Sequence, residues 1–229
     1  MKDKIKYIAF DADDTLWDNE IFFQEVETKF CSLVANYLPG DEAFKQLLDK
    51  EMENLHLYGY GAKGMMLCMI ELICGIADAK DSPGCIMEII RFGKELLEKP
   101  VALLDGVEEV LSELGKEHRL VLATKGDLLD QERKIIKSGI RNYFDHIEIM
   151  SNKKSTDYLN LMNKLNCEPG NFLMVGNSLK SDIVPVLEAG ASAVYIPYHI
   201  TWAHEQHDET INHPNFTELN NITEIFNCL

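Results

Sequence analysis

Basic side chains are scarce in this sequence. Lys and Arg number 22 against 38 Asp and Glu, for a formal net charge of -16. Nucleic acid and anionic membranes need clustered cations, so neither is an expected partner. A small anionic substrate would have to meet a metal ion or a few well-placed positive groups. Long apolar runs are missing too: the longest, over residues 65–76, is interrupted by Glu71 and falls short of a bilayer span. No basic-then-apolar leader opens the chain, which runs straight into a strand-like segment, so a cytoplasmic protein is expected. The six cysteines, Cys31, Cys68, Cys74, Cys85, Cys167 and Cys228, form no CxxC pair, which argues against a zinc site or a disulfide framework.

What the chain does have is alternation. Short apolar runs bounded by turn residues recur at 5–10, 120–124, 147–150, 172–176 and 193–197, and each predicts a buried strand. Between the later runs lie segments of helical period: Val107, Val110, Leu111 and Leu114; Leu128, Leu129, Ile135 and Ile136; Tyr158, Leu161, Met162 and Leu165. Strands alternating with helices predict an α/β fold with a parallel sheet covered on both faces. At 229 residues, 46% of them hydrophobic, the chain can build one large domain or two small ones.

The first strand breaks the alternation, because roughly the next 80 residues read as helix only. A first helix would bury Phe22, Phe23, Val26, Phe30, Leu33, Val34 and Tyr37, with Asp18 or Asn19 as N-cap. Asp41 opens a second, residues 63–77 make an almost wholly apolar third, and Ser82 with Pro83 starts a fourth. Four helices predict a small inserted bundle over 18–99, leaving 1–17 and 100–229 as the sheet domain. Residues 17–19 and 99–103 would form a two-stranded hinge.

The sharpest chemical signal is Phe10-Asp11-Ala12-Asp13-Asp14-Thr15-Leu16, where the first strand ends. Ligands gather at the carboxyl ends of strands in an open parallel sheet, so these carboxylates would face the crevice. An acidic turn capping the next helix is the alternative. Other strand ends favour phosphoryl chemistry. Thr124, Lys125 and Gly126 end the second strand with a hydroxyl and backbone N–H groups able to hold phosphate oxygens. Lys153 or Lys154 follows the third strand. Gly176, Asn177 and Ser178 end the fourth, with Asp182 beyond, an oxygen-rich set suited to a hard cation.

These residues, in this order, resemble the haloacid dehalogenase-like superfamily: DxDx[TV] at strand one, Ser/Thr at strand two, Lys before a helix and an acidic pair after strand four. The resemblance covers nearly the full chain, and the helical insert is similar to that family's helical cap of the first type. It implies a Rossmann-like doubly wound core with an inserted cap, and a magnesium-dependent phosphatase that acts on a small phosphorylated metabolite through an aspartyl-phosphate. Asp11 would be the nucleophile and Asp13 the acid and then the base. Mg2+ would sit on the Asp11 carboxylate, the Asp13 backbone carbonyl, Asn177 and Asp182. Thr124 and Lys153 would hold the phosphoryl oxygens, with the Lys125 turn beside them. Lys153 fits the spacing to Tyr158 and Leu159 better than Lys154.

Two departures stand out. Asp14 takes the place of the usual Gly, and Asn177 replaces the first acid of the fourth motif, keeping a carbonyl oxygen but losing a charge. The DxDDTL opening resembles members acting on nucleoside monophosphates, with sugar phosphates and phosphorylated vitamins as alternatives. A cap that closes over the site implies a small substrate. A phosphomutase, a dehalogenase and a catalytically silent ligand-binding protein are the competing functions; Asp13 and Asp182 argue against the dehalogenase.

Other conspicuous residues read as structural. His199, His204 and His207 with Trp202 are loosely spaced among acidic neighbours and suit a solvated loop better than a metal or proton relay. Met65, Met66 and Met69 suit a helical core. Tyr58 and Tyr60, in Tyr-Gly-Tyr-Gly, lie on a connection that could either contact substrate or simply join two helices.

Overall fold

The short apolar runs become the strands of one sheet. The computed structural model describes residues 4–205 and 210–229. Five strands stand where the sequence places them: β1 (Tyr7–Phe10), β2 (Arg119–Lys125), β3 (His146–Met150), β4 (Phe172–Gly176) and β5 (Ser192–Tyr195). A sixth, β6 (Phe216–Glu218), was not expected; three residues are too few to show a period of two. All pairings are parallel, in the order β3-β2-β1-β4-β5-β6. The order reverses at β1, so the ends of β1 and β4 flank the topological switch point where open α/β sheets bind ligands.

Alternation along the strands feeds two cores. Ile8, Phe10, Leu120, Leu122, Leu173, Val175 and Val194 pack on one face with Val107, Val110 and Leu111 of α5 (Val107–Leu114). Ala9, Val121, Ala123, Met174 and Ala193 face the other way. They meet Tyr158, Leu161 and Met162 of α7 (Ser155–Lys164) and Val186 of α8 (Val184–Glu188). Burial on both faces explains why these strands read as continuous apolar runs. Pro185 lies at the start of α8, directly after a π-helical turn over Leu179–Ile183, so its missing donor falls where the helical hydrogen-bond pattern changes.

Helix α6 (Leu128–Ser138) corrects an expectation. Of the four apolar positions assigned to its buried face, only Ile135 is buried; Leu128 and Leu129 are exposed, and Ile136 is 74% exposed. Gln131 is buried instead, so the helix is turned to bring polar side chains inward.

The residues between β1 and α5 form four helices, α1 (Glu20–Leu33), α2 (Gly40–Tyr58), α3 (Ala62–Ile76) and α4 (Ser82–Glu98). Phe30, Leu47, Met69, Ile73 and Ile89 are the centre of a separate apolar core. Helix α3 keeps an exposed side at Leu67, Glu71 and Cys74. At the start of the first helix the Asp14 carboxylate accepts the backbone N–H groups of Asn19 (2.8 Å) and Glu20 (3.0 Å). Two compact units result, one of residues Met1–Glu20, Val101–Lys125 and Gln131–Leu229 carrying the sheet, the other of Ile21–Pro100 and Gly126–Asp130 carrying the four helices. Gly126–Asp130 thus groups with the helices, and there Lys63 pairs with Asp127 at 2.7 Å. Where a two-stranded connection was expected over 17–19 and 99–103, there is no strand pair among the described residues but an isolated antiparallel bridge, Trp17 to Leu103.

The described cysteines are free thiols. No helix among the described residues is long and apolar enough to cross a membrane.

Candidate active site

Asp11 leaves the end of β1 with its backbone N–H held by the Val175 carbonyl of β4 at 2.9 Å. The hydrogen bond anchors the residue at the switch point, where Asp11 is buried at 6% exposure. One oxygen, Oδ1, is ion-paired with Lys153. The other, Oδ2, accepts from the Thr15 hydroxyl at 3.3 Å, and that hydroxyl also lies 3.2 Å from Asn177 Oδ1. Thr15 therefore draws the carboxamide oxygen of Asn177 toward Asp11.

Lys153 is the buried lysine of its pair; Lys154 is exposed and uses its backbone N–H to bind Asp157 at 2.9 Å. The Lys153 ammonium bridges Asp11 and Asp182, the latter at 2.6 Å. Burial would lower its pKa, but the two carboxylates outweigh that and raise it. Burial also pushes Asp11 up to about 7, with the Asp182 charge adding and Lys153 opposing. Asp182 is held in turn by the Ser178 backbone N–H at 3.1 Å and the Tyr158 hydroxyl at 3.4 Å. Its carboxylate presses so close to Gly176 that a Cβ there would overlap it. Glycine at the end of β4 is thus fixed by the approach of a side chain rather than by a turn.

Thr124, at 1% exposure on the neighbouring strand, carries a buried hydroxyl with no hydrogen-bond partner among the described residues. Such an atom is costly unless something it binds is part of its function. Lys125 is placed differently: its ammonium pairs with Glu205 at 2.6 Å and donates to Ser181 Oγ at 3.0 Å. Glu205 also binds the hydroxyls of Ser178 and Ser181. Burial would raise the Glu205 carboxyl, but Lys125 and these hydrogen bonds bring it down to about 2.

Asp13 is gathered with four hydrogen bonds of its own. Trp17 Nε1 (2.7 Å) and Lys134 (3.0 Å) bind Oδ1, while Gln131 Nε2 (2.8 Å) and Lys134 again (3.1 Å) bind Oδ2. Sequence reasoning missed Gln131, Lys134 and Glu205. Gln131 and Lys134 share the polar face of an amphipathic helix; Glu205 sits in the loop set aside for its histidines. Asp14, which takes up the capping role that the sequence left open for this acidic turn, is pushed up to about 7 by burial and by Asp13, against the backbone hydrogen bonds it accepts.

The tyrosines and histidines have partners of their own. Tyr58 is the last residue of α2, and its hydroxyl binds Glu71 of α3 within the helical unit, as Tyr60 follows in the link to α3. His199 packs on the Tyr198 ring, His204 packs on Trp202 and lies beside Lys180, and His207 falls outside the described residues.

The donor set fits a hard cation. Asp11 and Asp182 converge on one ammonium, two buried carboxylates to a single positive charge, and the Asn177 carboxamide oxygen meets Asp11 through the Thr15 hydroxyl. No group of three or more His, Cys, Asp or Glu among the described residues is arranged as a metal site.

A family model for haloacid dehalogenase-like hydrolases matches residues 5–190. The chain belongs to that family. A haloacid dehalogenase-like hydrolase from Xanthomonas campestris superimposes with a TM-score of 0.84 at 34% identity, over 96% of this chain and 88% of that one. Mouse N-acylneuraminate-9-phosphatase is 38% identical over 96 residues, a stretch that is 40% of this chain and only 39% of the mouse protein. The glyceraldehyde 3-phosphate phosphatase of Methanothermobacter thermautotrophicus is 23% identical across 96% of this chain and 98% of its own length. Members of this hydrolase family with phosphatase names therefore resemble the chain both locally and end to end.

Proposed function

We propose that the chain is a magnesium-dependent phosphatase of small phosphomonoesters in which Asp11 is the nucleophile. The observation that carries the reading is the pairing of Asp11 with Lys153 at the switch point, with the unpartnered Thr124 hydroxyl on the adjacent strand. An Asp11 oxygen attacks phosphorus as the bond to the substrate's alcohol oxygen breaks, and Asp13 gives that oxygen a proton. Asp13, now a carboxylate, takes a proton from water as the water attacks the aspartyl-phosphate, releasing phosphate and restoring Asp11. Thr124 and Lys153 bind the non-bridging oxygens and stabilise the charge they gain. The Lys125 ammonium is engaged by Glu205, so its turn contributes through backbone N–H groups.

Asp11, Asn177, Asp182 and the Asp13 carbonyl would hold Mg2+, which supplies positive charge so that an anionic nucleophile and an anionic phosphate can meet. We assign the helical unit the role of a cap that selects the alcohol portion, with Tyr58 and Tyr60 among its candidate determinants. The named relatives are an N-acylneuraminate-9-phosphatase and a glyceraldehyde 3-phosphate phosphatase, names that denote phosphomonoesters of sugars or sugar-like compounds. Their chemistry favours a sugar-phosphate substrate over a nucleoside monophosphate.

Hydrolysis of p-nitrophenyl phosphate with Mg2+ tests the reading. Activity should vanish with chelator and fall below a few per cent in Asp11→Asn, whose far-ultraviolet circular dichroism should match wild type. Substantial activity in a folded Asp11→Asn would overturn it.

A further inference from the structure

We infer that Lys134 and Gln131 are positioning residues that hold the Asp13 carboxylate in one orientation through both halves of the reaction. The inference rests on the acid and base role proposed for Asp13. An aspartate that gives a proton to a leaving oxygen and then takes one from water must keep its carboxylate in place while its charge changes. A side chain on two rotatable bonds does not stay put unaided.

Both oxygens of Asp13 are bound from the side of α6. Lys134 reaches each of them, at 3.0 and 3.1 Å, and Gln131 Nε2 reaches Oδ2 at 2.8 Å. The holders are themselves held. Gln131 is 2% exposed and shares its amide N–H group with the Lys125 carbonyl at 3.1 Å; Lys134 also donates to Asn19 Oδ1 at 2.6 Å. Turning the Gln131 amide over would set its oxygen against a carboxylate, so the orientation is chemically determined.

Two features separate this arrangement from ordinary packing. Gln131 Oε1 is buried without a partner among the described residues, an arrangement that a purely structural glutamine would avoid. Helix α6 also turns Gln131 and Lys134 inward while Leu128, Leu129 and Ile136 lie exposed. Local rules are broken in this way where function demands it.

The test is rapid-quench measurement of phosphoenzyme formation and breakdown in the full-length enzyme with Mg2+, using p-nitrophenyl phosphate and a sugar phosphate. Lys134→Met should slow both phosphoenzyme formation from the sugar phosphate and phosphoenzyme hydrolysis by at least ~10-fold, because both need Asp13 in place. Formation from p-nitrophenyl phosphate, whose leaving group needs little acid help, should change by less than ~3-fold. Lys134→Arg should recover most of the loss, and Gln131→Met should show the same asymmetry if Lys134→Met is too unstable to assay. Equal losses with both substrates, or no loss, would overturn the inference while leaving Asp11 as nucleophile. Wild type that forms no phosphoenzyme would bring down the proposed function and this inference together.

Discussion

Asp11 and Asp13 stand two residues apart and each is paired with a lysine, yet they occupy different electrostatic settings. The Asp11 and Lys153 side chains are 9% and 2% exposed; those of Asp13 and Lys134 are 21% and 17%. Lys153 bridges two carboxylates in a dry interior, whereas Lys134 reaches both oxygens of Asp13 and the neutral Asn19 at a wetter pair. The inner group sets two carboxylates against one ammonium. The outer group is satisfied and oriented, with access to solvent.

Removing the inner lysine should break that comparison most visibly. Lys153→Met strands two buried carboxylates, and unfolding by urea at pH 7 should show a loss of about 3–5 kcal/mol. Lys134→Met, at a wetter pair, should lose only about 1 kcal/mol. Equal losses would mean that the two pairs do not differ as their burial implies.

The Glu205 cluster sharpens the contrast through pH. Its carboxyl is brought from 4.5 down to about 2, so it stabilises the fold fully above about pH 4.5 and loses that contribution as pH falls toward 2. The contribution at neutral pH is on the order of 3 kcal/mol. Glu205→Gln should therefore be less stable at pH 7 and lose stability less steeply between pH 4.5 and 2. Parallel curves would show that the Lys125 to Glu205 pair does not carry this load.

Gly176→Ala tests the packing behind the inner site. The added methyl overlaps the Asp182 carboxylate, and the strain should cost about 1–3 kcal/mol and raise the Mg2+ concentration needed for half-maximal activity. A neutral result would mean that Asp182 can move away without consequence. The smallest effect belongs to an exposed pair: Lys116→Met, which loses a 2.6 Å contact to Glu113, should change stability by less than ~0.5 kcal/mol.

Much of this was legible beforehand because strands buried on both faces announce themselves as apolar runs, and the runs at 120–124 and 172–176 fall inside β2 and on β4. The strand ends carried Asp11, Thr124, Lys153 and Asp182 in order, so the meeting of Asp11, Lys153 and Asp182 followed from topology. What stayed hidden depends on rotation and on distant partners. Leu128, Leu129 and Ile136 matched a helical period, and only tertiary structure shows that α6 turns Gln131 and Lys134 inward instead. Glu205 is 80 residues from Lys125, and no spacing rule connects an acid in a loop to a lysine at a strand end. Asp14 looked like a departure from pattern, and its capping of Asn19 and Glu20 needed the path of the backbone between them.

The most direct measurement is to quench a turnover with sugar phosphate, reduce the trapped enzyme with borohydride and map the modified residue by mass spectrometry. An aspartyl-phosphate at the nucleophile would be converted to homoserine at position 11 and at no other carboxylate. Homoserine at another position, or turnover of phosphate with Asp11 unmodified throughout, would contradict the assignment of Asp11 as the residue that carries the phosphoryl group.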